Sequence, residues 1–279
     1  MVQNWIMEQT NIRELLKNNG FRFKKSLGQN FIWDKNLLNS IVGDAGIDEN
    51  DTVLEIGAGA GSLTCALAVR AKRVIAFEID KALSPVLSAA LSGFDNVTVI
   101  YRDIFKLSNA EILELTGGAF KVVANLPYYI TSAVILRFLD CALPVSSVTV
   151  MVQKEVAARI TAKPKTKDYS ALTLLAALFS DAKITREVSR NMFFPAPEVD
   201  SAVVRFDIKK DKTQDTEKLK KLIKGAFLMR RKTLENNLSA AFMISKAQAA
   251  EKLEKAAIAA SARGEELTLS DFIRLSEQF

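Results

Sequence analysis

The stretch Thr52-Val53-Leu54-Glu55-Ile56-Gly57-Ala58-Gly59-Ala60-Gly61 decides the fold. A short apolar, β-branched run predicts a strand, and the glycines after it predict a turn whose backbone can approach a ligand closely. Ser62–Ala71 then carries a helical pattern. Strand, glycine turn and helix in this order open an α/β fold in which ligands sit at the carboxyl ends of parallel strands. A dinucleotide fingerprint needs G-x-G-x-x-G. Here the spacing is G-x-G-x-G, with Ser62 where the third glycine would fall, which favours a cofactor without a pyrophosphate.

Outward from this motif, short apolar runs alternate with helical ones. Strands are predicted at Arg73–Glu78, Val97–Arg102, Phe120–Ala124 and Ser147–Val152, with helices at Lys81–Leu91, Ser132–Asp140 and Lys154–Ile160. Strands apolar on both faces imply a parallel sheet covered on both sides. Lys183–Ser189 and Ser201–Ile208 read as two further strands, paired antiparallel at the sheet edge. Before the glycine motif, residues 4–18 read as a helix, 21–32 as a basic and aromatic loop, and 37–42 as a second helix. Ser170–Phe179 is an apolar helix. Lys209–Thr216 reads as a linker, followed by about four helices near 217–229, 231–242, 245–260 and 269–277. The expectation is a Rossmann-like α/β domain over 1–208, mostly parallel with an antiparallel edge strand, and a small all-α domain over 209–279.

Composition narrows the function. The chain has 279 residues, 49% of them apolar, enough for a real core. It contains no histidine, which excludes Ser-His-Asp and Cys-His nucleophile systems and imidazole-ligated zinc; no metal is expected. Cys65 and Cys141 cannot make a disulfide framework, so a reduced, cytoplasmic setting is expected. No apolar run reaches the ~20 residues of a membrane span, and the N-terminal segment does not read as a secretory signal. Residues 36–152 carry 8 basic and 12 acidic side chains, whereas residues 13–35 carry 6 and 2, 153–190 carry 8 and 4, and 209–279 carry 15 and 10. Three basic segments flanking a neutral-to-acidic centre suit a polyanion if they converge on one face; solvated helical surfaces would carry the same lysines.

The candidate site residues fall at strand ends. Glu78 ends the second strand, where a carboxylate can accept from vicinal ribose hydroxyls. Asp103 ends the third, placed to accept from an adenine amino group while Ile104 packs on the ring. Together with Gly57 these define an adenosine pocket without separating a nicotinamide dinucleotide from S-adenosylmethionine. Asn125-Leu126-Pro127-Tyr128-Tyr129 after the fourth strand is decisive. The Asn125 amide oxygen and the Leu126 carbonyl can both accept from an exocyclic amine, and Tyr128 can stack on its ring. At this point the sequence resembles the N6-adenine methyltransferases.

Lys24-Lys25-Ser26-Leu27-Gly28-Gln29-Asn30-Phe31-Ile32 and Phe193-Phe194-Pro195-Ala196-Pro197-Glu198-Val199-Asp200-Ser201 narrow the resemblance to the ribosomal RNA adenine dimethyltransferases. The likeness covers nearly the whole chain and is greatest to enzymes acting on bacterial 16S rRNA. It implies S-adenosylmethionine as cofactor, with Asn30, Ile32, Gly57, Glu78, Asp103 and Asn125 around it. It also implies methyl transfer at Asn125, Leu126, Tyr128 and Phe193, two adjacent dimethylated adenines, and a monomer acting on the small subunit or its precursor. Phe193 is expected to stack on the target base and Phe194 to be the more buried of the pair. The basic segments Arg22–Lys25 and Lys163–Lys167 and the cluster Arg230, Arg231 and Lys232 are candidate RNA contacts. The alternatives are a large-subunit rRNA methyltransferase of the macrolide-resistance type and a non-catalytic ribosome-assembly factor.

Overall fold

The computed structural model describes residues 12–24, 28–140, 142–210 and 216–279. The expected first helix is described from Ile12–Asn18 (α1) onward. Its earlier part, Lys25–Leu27, Cys141 and most of the expected linker lie outside the described residues.

Seven strands form the main sheet: β2 (Thr52–Ile56), β3 (Arg73–Phe77), β4 (Val97–Ile100), β5 (Phe120–Asn125), β6 (Val145–Gln153), β7 (Ser180–Val188) and β9 (Ser201–Ile208). They lie in the order β4-β3-β2-β5-β6-β9-β7. The ladders from β4 to β6 are parallel, and β9 runs antiparallel to β6. The antiparallel strand is therefore one in from the edge, with β7 outermost. In β2, consecutive Val53 and Leu54 are both fully buried. Successive side chains point to opposite faces, so both faces of the sheet are covered. A two-residue ladder of β1 (Phe31–Ile32) with β8 (Phe193–Phe194) stands apart from the main sheet.

The helices preceding and linking these strands are α2 (Lys35–Asp44), α3 (Ser62–Ala68), α4 (Ser84–Leu91), α5 (Asn109–Thr116), α6 (Thr131–Leu139) and α7 (Lys154–Ile160). α5 has no counterpart in the sequence reading. Its start is fixed by a capping box between Ser108 and Glu111, and its end by Gly117 at φ 68°.

The chain divides into two compact units, 1–157 with 183–208, and 158–182 with 209–279. The second unit contains α8 (Ala171–Phe179), α9 (Thr216–Ala226), α10 (Leu234–Phe242), α11 (Lys246–Lys255) and α12 (Leu269–Ser276). The chain changes unit at 208/209, and residues 158–182 group with the C-terminal helices. The reason is burial: α8 is apolar nearly all round and packs on α9 and α12. The buried Tyr169 hydroxyl donates to the Leu267 carbonyl at 2.7 Å. Asn237, also buried, knits the α9–α10 turn by donating to the Ala226 and Met229 carbonyls and accepting from Met229 N.

Candidate active site

The glycine turn after β2 is built of positive φ angles, 79° at Gly57, 57° at Gly59 and 86° at Gly61. At Gly59 the requirement is steric as well, since a Cβ there would lie 2.9 Å from the Phe31 ring. The turn, the ends of β3, β4 and β5, and the segment leading into β1 line one cavity. Asn30, Ile32, Gly57, Glu78, Asp103, Asn125, Leu126, Tyr128 and Phe193 all lie on its wall. Residues from six sequence segments thus meet in one place, within a single unit.

Glu78 is nearly buried, and three backbone N–H groups hold its carboxylate: Gly59 on Oε2, and Ile79 and Asp80 on Oε1, each at 2.8 Å. Burial nonetheless pushes its carboxyl above the usual range, those three donors opposing it. A carboxylate offers about four acceptor positions, so a bidentate diol would compete with Gly59 N–H. Asp103 commits Oδ1 to Phe105 N at 3.0 Å, leaving its second oxygen available. Ile104 is buried beside it, whereas Ile79 lines the cavity at 53% exposure. Ile79 was missed from sequence; its signal is an apolar residue in the turn directly after an acidic strand end. Glu55 was missed too. Its fully buried oxygens have no hydrogen bond of good geometry among the described residues, and burial pushes its carboxyl up to about 8, the nearby Thr64 hydroxyl opposing and the Glu78 charge adding to the rise.

The turn after β5 fixes the amide. Asn125 Nδ2 donates to the Asn30 carbonyl at 3.2 Å, which leaves Oδ1 as the free end of the side chain. Leu126 is buried. The Tyr128 hydroxyl shares a 3.0 Å hydrogen bond with Ser201 Oγ. Its pKa is raised by burial and by the nearby Asp200 charge, against the Ser201 bond. Tyr129, lining the same cavity, is 64% exposed. Ile32 pairs with Phe193 and Phe31 with Phe194. That register turns Phe193 to the cavity, where it is buried, and leaves Phe194 half-buried with an edge-on contact to Phe23. The expectation that Phe194 would be the more buried is corrected: on a strand only alternate residues face inward.

Of the basic segments, Lys24 is engaged by Asp80 at 2.6 Å, so its charge is not free for phosphate; Lys25 lies outside the described residues. Within the helical unit, exposed Lys163, Lys165 and Lys167 occupy a loop tied to the C-terminal residues. Lys165 N donates to the Glu265 carbonyl at 2.8 Å, and Arg230 donates to the Lys167 carbonyl. This loop is thereby brought beside the cluster of exposed Arg230, Arg231 and Lys232. No helix among the described residues is long and apolar enough to cross a membrane.

Strand order, the reversed β9 and a cavity at the carboxyl ends of β2 to β5 define a Rossmann-like methyltransferase. Solved structures agree. A dimethyladenosine transferase from Plasmodium falciparum has a TM-score of 0.74 and 26% identity, covering 88% of this chain and 95% of that one. The 23S rRNA methyltransferase ErmE has a TM-score of 0.68 and 26% identity, covering 89% and 98%. Residues 20–279 match the family model for ribosomal RNA adenine dimethylase, and the chain belongs to that family. Proteins named ribosomal RNA small subunit methyltransferase A are similar throughout. That of Enterococcus faecalis is 45% identical over 95% of this chain and 92% of its own, and that of Streptococcus gordonii 46% over 95% and 94%.

Proposed function

We propose that the protein transfers methyl groups from S-adenosylmethionine to N6 of two adjacent adenines in a loop of small-subunit 16S rRNA, dimethylating each. It does so as a cytoplasmic monomer in small-subunit biogenesis. The observation that carries this reading is the Asn125 amide: its Nδ2 is held by the Asn30 carbonyl, so Oδ1 is presented as an acceptor.

The cavity fits the cofactor. Glycines at positive φ give backbone access at the β2 end, Glu78 and Asp103 supply carboxylates for ribose and adenine, and Ile79 and Ile104 supply apolar surface for the base. Asn30, Ile32 and Gly57 complete the wall. When bound, S-adenosylmethionine supplies an electrophilic methyl group on a sulfonium sulfur. Adenine N6 is a poor nucleophile because its lone pair is delocalised into the ring. Asn125 Oδ1 and the Leu126 carbonyl accept its N–H bonds, hold the nitrogen pyramidal and stabilise the positive charge that develops on it, which is discharged when the N6 proton passes to water. A neutral amide does this without the desolvation cost of an ionised side chain. Tyr128 and Phe193 sandwich the unstacked base, as a flipped or loop adenine requires. The Ser201 bond to the Tyr128 hydroxyl anchors the far end of that ring. Lys163–Lys167, Arg230, Arg231 and Lys232 hold RNA phosphates.

The test incubates the protein with small and large subunits from unmethylated cells and labelled cofactor, then seeks dimethyladenosine by mass spectrometry. Label confined to 16S rRNA is expected. Label in 23S rRNA supports the large-subunit reading that the likeness to ErmE keeps in view. Binding of subunits without transfer supports a non-catalytic assembly factor.

A further inference from the structure

Residues 28–32 line the cavity, and among the described residues of the stretch 21–24 and 28–32 Lys24 makes one charged attachment. The Asp80 side chain is 1% exposed. It accepts from Lys24 Nζ at 2.6 Å, from Gln29 Nε2 at 3.0 Å and from Ala82 N at 3.1 Å. Gln29 Oε1 in turn accepts from Lys24 N at 3.0 Å, closing the segment on itself. The Ala82 bond is an ordinary cap on a short helical turn. The other two are not needed for that cap, and they join chain positions 56 and 51 residues apart.

The segment so anchored touches the Asn125 amide, the glycine turn and Phe193. The Asn30 carbonyl holds the Asn125 amide. The Phe31 ring lies against Gly59. Ile32 pairs with Phe193. On the far side, Asp80 N donates to Glu78 Oε1. Neither Lys24 nor Asp80 lines the cavity.

We propose that Asp80, with Lys24 and Gln29, is a latch that seats the described residues 28–32 as a strap, and that Asp80 is thereby a positioning residue for both cofactor and target amine. The strap roofs the adenosine pocket through Phe31 and Ile32 and aims Asn125 through the Asn30 carbonyl. Burial alone would raise the Asp80 carboxyl, but the bonds from Lys24, Ala82 and Gln29 outweigh it and hold the carboxyl below its usual range. The latch therefore stays charged at neutral pH. The roles given to cofactor and amine rest on the function proposed above; the seating of the strap does not.

The full-length protein with Lys24→Met separates the two, because it breaks the ion pair and leaves the Ala82 cap intact. Ligand-free, this variant should be cut by trypsin after Arg22 about tenfold faster than wild type, with an unchanged thermal midpoint, since opening of the strap is local. The Kd for S-adenosylhomocysteine should rise about 5- to 20-fold, the scale of a charge-assisted bond with one exposed partner. The single-turnover rate at saturating S-adenosylmethionine should also fall, and Lys24→Arg should restore all three. Unchanged tryptic cleavage overturns the latch. So does a loss confined to KM for RNA, which makes Lys24 a phosphate contact. If cleavage accelerates but wild-type protein binds neither S-adenosylmethionine nor S-adenosylhomocysteine, the latch stands and the cofactor assignment fails.

Discussion

Asn125 has one donor end and one acceptor end, and the fold uses only the donor. Because Nδ2 is tied to the Asn30 carbonyl, replacing Asn125 by Ala removes, on the proposed mechanism, the acceptor for the reacting amine. Loss of such a partner costs about 10²–10³ in turnover. Single-turnover assays should show kcat and kcat/KM falling together, the mark of an interaction made in the transition state. Tyr128→Ala should differ by raising KM, since a base-stacking partner is worth ~1–3 kcal/mol of binding. Glu78→Ala should weaken S-adenosylmethionine by about 1.5–3 kcal/mol in calorimetry, and RNA affinity should hold. Glu55 gives a pH signature. Its folded pKa of about 8 lies above the unfolded value, so the native state binds more protons between the two. Stability from this group is complete below roughly pH 4.3, the unfolded value, and is lost as pH rises toward 8. Glu78 shifts in the same direction. Thermal midpoints from pH 5 to 8.5 should fall less steeply in Glu55→Gln than in wild type; equal slopes would mean that Glu55 ionises freely in the native state.

At the scale of elements, the glycine turn and β1 depend on each other. Ala at Gly59 needs both φ 57° and a Cβ 2.9 Å from the Phe31 ring, which is itself nearly buried. The backbone alone costs ~1–2 kcal/mol, so Gly59→Ala should lower the thermal midpoint and raise the Kd for S-adenosylhomocysteine together. A lower midpoint with unchanged Kd would show that Phe31 moves aside without disturbing the pocket. The same contrast explains what could be read beforehand. β2, β3, β5 and β6 were legible because burial on both faces demands unbroken apolar runs, and edge strand β4 through its β-branched residues although Thr98 is exposed; Gly57, Glu78, Asp103 and Asn125 share one cavity wall because each falls at a strand end. α5 was legible in principle, through Ser108, Glu111 and Gly117, but its weak apolar periodicity hid it. β1 and β8 were not legible, since a two-residue ladder carries no periodicity and exists only by long-range pairing. Lys24 read as a candidate RNA contact, and no sequence spacing joins it to Asp80; only the fold makes them partners. Residues 158–182 read as loop and helix beside a strand, while the contacts of Tyr169 and α8 that place them with the C-terminal helices come from the far end of the chain.

At the scale of the molecule, the two units hold different chemistry. Every residue of the cavity belongs to the sheet-containing unit, whereas Lys163, Lys165, Lys167, Arg230, Arg231 and Lys232 are exposed on the helical one. The net charge of +6 is modest, so the placement of cations rather than their total must supply attraction for RNA. Part of Arg230 is already taken by the Lys167 carbonyl and, at 3.9 Å, by Glu265. The three loop lysines have no such partner among the described residues, which makes them the better phosphate contacts. Each contact adds about −0.7 to −0.9 to the slope of log affinity against log salt. Changing Lys163, Lys165 and Lys167 together to Glu should therefore flatten that slope by roughly two or more for a 16S rRNA fragment. Calorimetric affinity for S-adenosylhomocysteine should be unaltered, because no cavity residue is touched. KM for RNA should rise while kcat at saturating RNA holds, since Asn125 and Leu126 are untouched. A slope that survives the triple change would move the phosphate contacts to Arg231 and Lys232 or to Arg22, and would leave the lysine loop as a staple between the two ends of its own unit.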